Sequence, residues 1–404
     1  MGTIYWEDMH VKDPALYAVL IGVSNYPYAS NGKAAVAETH GIRQLAAPAN
    51  TVKDIADWLI KNKDNLFLPL KSIHLLASPS SLEVIEDKSN SLKQLVPATL
   101  KNVQSTLIDW RKASSLSPEN GTIFYFGGHG IQQSRGDSIL LLEDFLGQDS
   151  ENILENAVNV SNIYNGMANF ESIPNLPKTQ VYFIDACRAD LINLGKFEAY
   201  QPSSVFKIEV GGTDDRTAPI FFASAAGHET YSIIGQKTFF GRDLLDCLDG
   251  AAGDKIALLN GKRGWYVTVG TLAEAMSKLV NYHNANSPLG RACPRSLNID
   301  KLNSLSSEQS ICELGKVPSV RCYLNFDPDE AAKCASVKFD SPNLNLAERM
   351  DGPFENPFLC SKPAGIYAID AVVPATMKPK LRDLPEELVN VRGPFFNYAL
   401  SFHS

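Results

Sequence analysis

Leu16–Val23 reads LYAVLIGV, eight residues without a charge. A continuous apolar run of that length is the mark of a strand buried on both faces, which belongs inside a covered sheet. The pattern recurs along the chain. Residues 72–77 (SIHLLA), 122–126 (TIFYF), 181–184 (VYFI) and 219–223 (PIFFA) read as further strands. Between them, residues 50–61 carry Val52, Ile55, Ala56 and Leu59 at helical spacing, with Asn50 or Thr51 as the expected N-cap. Residues 99–113 repeat the spacing with Val103, Leu107 and Trp110, and helices are expected again over 239–248 and 272–282. Strands alternating with helices predict an α/β fold with a mostly parallel sheet flanked by helices. Ligands on such sheets bind beyond the carboxyl ends of the strands.

After about residue 285 the pattern changes. Residues 298–310 are rich in Ser, Asn and Leu and read as a linker or loose loop. Residues 317–404 carry many prolines and short β-like runs at 319–326, 336–339, 365–373 and 395–402, the pattern of a small β-sandwich. The expected organisation is therefore an α/β domain over 1–300, a linker over 301–316 and a β-rich accessory domain over 317–404. A chain of 404 residues exceeds one ordinary domain, and 44% hydrophobic with 20% charged residues is globular composition. The formal net charge of -8 argues against a nucleic-acid protein. No apolar run reaches transmembrane length, and residues 1–10 lack a basic start followed by an apolar stretch, so neither a membrane span nor a secretory signal is expected.

Seven cysteines at irregular spacing include no CxxC pair, which leaves zinc sites without support. Reduced thiols and a cytoplasmic setting are the default reading. The cysteines other than Cys187 read as packing residues, with a disulfide in the C-terminal third as the alternative.

The chemistry concentrates at two strand ends. The third strand runs into Gly127-Gly128-His129-Gly130, and the fourth runs into Asp185-Ala186-Cys187-Arg188. Neighbouring strands would bring His129 and Cys187 together. That pairing suits thiol catalysis, because an imidazole accepts the thiol proton and later protonates the leaving amine. Glycines beside His129 allow close approach of a peptide backbone. The N–H groups of Gly130 and Cys187 are the candidate oxyanion donors.

FYFGGHG followed by VYFIDACR resembles the caspase and metacaspase superfamily of cysteine peptidases. Supporting segments are LIGVSNY, residues 45–54, GIQQSRGDSILLLEDF, FFASAAGHETYS and TFFGRDLLDCLDG. The resemblance covers about residues 15–285 and implies a caspase-like fold, a Cys–His dyad of Cys187 and His129, and hydrolysis of protein substrates without a cofactor. Bacterial-type relatives often carry extra C-terminal modules, which fits the β-rich tail and suggests a regulatory protein partner there. Where caspases place glutamine two residues before the nucleophile, this chain has Asp185, as metacaspases do. A carboxylate at the base of a narrow pocket favours Arg or Lys at P1, the substrate residue preceding the scissile bond. The second acid of metacaspases is missing, since the corresponding segment reads Pro48-Ala49-Asn50-Thr51. Arg43 lies nearby and would instead serve an acidic P1. Ser224 and Glu229 are candidate pocket residues. Asp137, Glu143 and Asp144 are weighed as a calcium cluster, against the reading that they form a solvated acidic face. The connection over 190–218 holds Lys196, Lys207 and Arg216 as candidate self-cleavage points. Two other readings remain: a caspase-fold binding or signalling module without turnover, and a transpeptidase or ligase sharing the acyl-enzyme.

Overall fold

The computed structural model describes residues 4–83, 95–132, 138–147, 152–187, 201–209, 214–224, 235–257, 261–292, 294–378 and 380–403. Two compact units emerge: residues 1–245 with 280–309, and residues 246–279 with 310–404. Among the described residues, no helix is long and apolar enough to cross a membrane.

The first unit begins with β1 (Ile4–Glu7), β2 (Leu16–Val23), α1 (Pro48–Lys61), β3 (Leu70–Ser78), α2 (Leu100–Ser114) and β4 (Gly121–Gly128). A small antiparallel sheet follows, made of β5 (Gly130–Gln132), β6 (Ser138–Leu141) and β7 (Ala157–Asn159). The chain continues through α3 (Val160–Gly166), β8 (Thr179–Ala186), β9 (Ile220–Phe222) and α4 (Phe239–Asp246). Residues 246–279 belong to the second unit and hold β10 (Asp254–Ala257), β11 (Arg263–Thr268) and most of α5 (Val269–Asn286), after which the first unit resumes with α6 (Pro288–Ala292), β12 (Asn298–Asp300) and α7 (Ser304–Glu308).

The central sheet runs β1-β3-β2-β4-β8-β9-β12. Its inner strands are parallel, and only the edge strands β1 and β12 pair antiparallel. The sheet is the mostly parallel one expected. β2 is buried over its whole length because each face meets a helical layer. Tyr17, Val19, Ile21 and Val23 pack with Val103, Leu107 and Trp110 of α2 and Ile163 of α3. On the opposite face α1 lies so close that a Cβ on Gly22 would stand 2.5 Å from Val52 Cγ2 and 2.6 Å from the Pro48 carbonyl. A glycine there is what lets the start of α1 settle over the carboxyl end of the sheet.

Two local expectations are corrected. The N-cap of α1 is Ala47, with Pro48 at the first turn, rather than Asn50 or Thr51. Proline tolerates that position because its missing N–H needs no partner there. The other free N–H groups are met from outside the helix: Ala49 donates to Ser24 Oγ (3.0 Å) and Asn50 donates to Glu83 Oε1 (3.2 Å). The segment read as a loose loop over 298–310 is also structured. β12 pairs with β9, and Asn303 starts α7 through a reciprocal capping box with Ser306.

The second unit resumes with β13 (Ser310–Leu314), which pairs with its own β11 in the sheet β10-β11-β13. It continues through β14 (Ser319–Asp327), α8 (Asp329–Ala332), β15 (Ser336–Ser341), β16 (Leu346–Asp351), β17 (Phe358–Pro363), β18 (Gly365–Val372), β19 (Leu384–Val391) and β20 (Phe395–Ser401). Two sheets result, β17-β14-β20 and β16-β15-β18-β19. Strands β14 and β15 alternate buried and exposed residues, and their buried faces share one core of Val320, Leu324, Phe326, Val337, Phe339 and Tyr367. This is the β-rich tail that the sequence suggested.

Candidate active site

The site is built by one register. β4 and β8 are parallel neighbours with Gly127 opposite Asp185 and Gly128 opposite Ala186. The next residue along each strand is His129 and Cys187, so both leave the sheet side by side at its carboxyl end. The backbones remain in contact one step further: a Cβ on Gly130 would stand 2.6 Å from the Cys187 carbonyl oxygen and 2.8 Å from Ala186 Cβ. Only glycine fits there without moving the Cys187 backbone.

His129 is held on three sides. Its backbone N–H donates to Tyr26 Oη at 2.8 Å, and Tyr26 donates in turn to the Leu141 carbonyl at 3.2 Å. The His129 carbonyl accepts from Leu141 N at 3.0 Å, which ties it to β6. Its ring packs against the Tyr26 ring with centroids 4.8 Å apart. The imidazole Nε2 lies 2.8 Å from the Arg43 carbonyl oxygen. A carbonyl only accepts, so Nε2 carries the proton and Nδ1 is left as the basic nitrogen. Burial pulls His129 down to about 4, opposed by the Arg43 carbonyl and reinforced by the Arg43 guanidinium charge. The ring is therefore neutral and able to accept a proton at neutral pH. Arg43 thus meets the histidine through its backbone, while its exposed side chain adds positive charge nearby.

Asp185 is buried, at 3% exposure, on the α1 face of the sheet. Its Oδ2 accepts from Tyr125 Oη at 2.6 Å and from Thr238 Oγ1. Thr238 N donates to Thr51 Oγ1 at 3.0 Å, and the Thr51 hydroxyl donates back to the Ala47 carbonyl at 2.9 Å. Burial raises Asp185 to about 6, against the two hydroxyl hydrogen bonds that favour the carboxylate. The cluster is closely packed, since a Cβ on Gly241 would meet Thr51 Cγ2 at 2.1 Å. Thr51, in the segment that lacks a second acid, therefore belongs to the same hydrogen-bonded group as Asp185.

Ser224 is fully buried and donates to the Ala186 carbonyl at 3.1 Å, bracing the strand end that carries Cys187. Glu229 and Asp137 lie outside the described residues. Glu143 accepts from Asn25 Nδ2 (3.0 Å) and Ser78 Oγ (2.7 Å), and Asp144 accepts from Leu100 N at the start of α2 (3.0 and 3.1 Å). These two acids hold protein donors. Among the described residues, no group of three or more His, Cys, Asp or Glu is placed to hold a metal ion.

A family model described as Peptidase C14, caspase domain, matches residues 15–282. The chain belongs to the caspase-domain family. Its mixed α/β architecture is the caspase-like fold. An uncharacterized protein, y4kE, of Sinorhizobium fredii (strain NBRC 101917 / NGR234) is 26% identical over 241 residues, covering 59% of this chain and 64% of that protein. The match thus spans less than two thirds of that relative's length. Among solved structures, caspase-1 from Spodoptera frugiperda superposes with a TM-score of 0.40 at 12% identity, covering 73% of this chain and 93% of that one. Protein GSU0716 from Geobacter sulfurreducens gives 0.40 at 11% identity, covering 73% and 97%.

Four participants in this caspase-domain site carried no role in the sequence reading: Tyr26, Tyr125, Thr238 and the Arg43 carbonyl. The first three sit inside the segments LIGVSNY, FYFGGHG and TFFGRDLLDCLDG, which carry the family resemblance. Their partners are distant in sequence, so the residue types alone could not assign them. A backbone carbonyl leaves no mark on residue identity at all.

Proposed function

We propose that this caspase-domain protein is a cysteine endopeptidase that cuts protein chains after Arg or Lys. The observation that carries the proposal is the β4–β8 register, which brings His129 and Cys187 out of the sheet as adjacent residues. His129 Nδ1 takes the thiol proton, and Cys187 Sγ attacks the scissile carbonyl. The N–H groups of Gly130 and Cys187 hold the oxyanion. His129 then protonates the departing amine, and water activated by the same nitrogen releases the acyl group. The Arg43 carbonyl keeps Nε2–H engaged, so the ring presents one fixed tautomer throughout.

Selectivity rests on Asp185. Among the described residues its two hydroxyl partners both engage Oδ2, and Oδ1 is assigned to a substrate guanidinium or ammonium. Thr51 supplies a neutral hydroxyl beside it rather than a second charge. The pocket therefore pairs one basic P1 residue with one carboxylate. The second unit contributes none of these residues, and a protein partner bound there would act on recruitment rather than on the chemistry.

The test is labelling and turnover in parallel. An arginyl chloromethyl ketone is expected to modify Cys187 and to block hydrolysis of Arg- and Lys-containing peptides. His129→Ala is expected to lower kcat/KM by about 10²–10⁴-fold. A folded chain that resists the label and cleaves nothing would instead be a binding module on this fold.

A further inference from the structure

Cys322 on β14 and Cys360 on β17 stand directly opposite each other in an antiparallel register. Such partners have Cα atoms roughly 4.5–5.5 Å apart, inside the range of about 4.4–6.8 Å that a disulfide requires. The two side chains also share a face. Val320, Cys322, Leu324 and Phe326 alternate inward along β14, and Cys360 has the same parity as the buried Lys362 on β17. Bond formation therefore asks for no change of register. Access is unequal. Cys322 is fully buried, while Cys360 is half-buried on the edge strand of the sheet β17-β14-β20.

The surroundings divide the roles further. Lys362 keeps its ammonium inside the unit, 2.6 Å from Glu348 Oε2 on β16 and 4.9 Å from the Phe339 ring centre. A hydrogen bond with Cys322 and then the charge of Lys362 hold the Cys360 thiol below its usual range, against the effect of burial. Cys322 is pushed up by that same hydrogen bond and by burial. One thiol is poised to attack and the other to resolve.

We propose that Cys322 and Cys360 form a reversible redox dithiol that a low-molecular-weight disulfide oxidises to an intrachain bond. The Cys360 thiolate attacks one sulfur of the small disulfide, whose S–S bond breaks and whose other half leaves as a thiol after taking a proton. Cys322 then loses its proton to solvent and attacks Cys360 Sγ. The mixed disulfide breaks and the second small thiol departs. Two protein thiols are oxidised and one small disulfide is reduced to two thiols. The new bond fastens the edge strand β17 to its sheet partner, β14.

The experiment uses the full chain carrying Cys187→Ala, so that the nucleophile does not compete for the reagent. The reduced protein is incubated natively with oxidised glutathione, quenched with N-ethylmaleimide, and read by intact mass and peptide mapping. The expected result is loss of two hydrogens, a cross-linked peptide pair joining Cys322 to Cys360, a higher melting temperature, and reversal by dithiothreitol. With Cys322→Ser added, glutathione is expected to accumulate on Cys360. With Cys360→Ser added, Cys322 is expected to stay unmodified. A lasting glutathione adduct in the parent chain, an unreacted Cys360, or a cross-link that forms only after denaturation would each overturn the proposal. The parent-chain mapping decides even where a serine variant fails to fold.

Discussion

Asp185, which is buried, and His129, which is partly buried, are titratable groups displaced in opposite senses, and each displacement has a consequence that can be measured. Asp185 sits at about 6 against an ordinary 3.8, so between those values the folded chain keeps a proton that the unfolded chain has released. Stability from this group is full below that window and is lost as pH rises through it. His129 sits at about 4 against 6.5, so the unfolded chain binds the extra proton and stability rises with pH over its window. Asp185→Asn removes the first slope alone. The melting temperature of the variant, measured against the parent, is predicted to climb from about pH 4 to about pH 7; a constant difference would contradict the buried ionisation. In the proposed function the same group sets selectivity. The ratio of kcat/KM for Arg over a neutral P1 residue is predicted to fall as pH drops through about 6, and to fall roughly tenfold to a hundredfold in Asp185→Asn. An unchanged ratio in both assays would remove Asp185 from the pocket.

At the scale of elements, the site depends on a strand pair and a clamp. The clamp is Tyr26, whose hydroxyl links the His129 N–H to the Leu141 carbonyl on β6. Tyr26→Phe leaves a buried donor unmet, a cost of about 1–3 kcal/mol, and frees the imidazole to drift. The predicted outcome is a lower kcat with KM little changed, read by steady-state kinetics beside a thermal melt. Gly130→Ala drives a methyl into the Cys187 carbonyl, which overpacking places at about 1–3 kcal/mol together with loss of turnover. Full activity in Gly130→Ala would contradict the backbone contact. The strands carrying this site were legible in the sequence because both their faces are covered, which makes β2, β4 and β8 continuous apolar runs. Strands β16 and β19 were not legible. They are edge strands with mostly exposed side chains, LAERMD and LPEELVNV, and carry no apolar alternation to read. The strand ends that carry His129 and Cys187 were legible from their apolar runs and flanking residues. The capping of α1 was not, because Ser24 and Glu83 reach it from other elements.

At the scale of the molecule, the two compact units interleave along the chain. Residues 246–279 group with 310–404, although the family match runs to residue 282. A chain ended at residue 300 loses β13, the partner of β11, and the core shared by β14 and β15. It is predicted to lose cooperative unfolding in calorimetry; an intact single transition would show the two stretches to be independent. Self-cleavage within 190–218 is constrained too. Arg216 is tied to Asp214 at 2.7 Å and to Gln180 at 3.1 Å with its side chain 1% exposed, whereas Lys207 is exposed, and Lys196 lies outside the described residues. Any autolysis mapped by mass spectrometry is predicted to spare Arg216. The central claim, a Cys187 endopeptidase directed to basic residues, is tested most directly by profiling a peptide library with the parent chain and with Cys187→Ala of matched fold. The account predicts cuts after Arg or Lys by the parent and none by the variant; turnover by Cys187→Ala, or cuts by the parent after acidic residues, would contradict it.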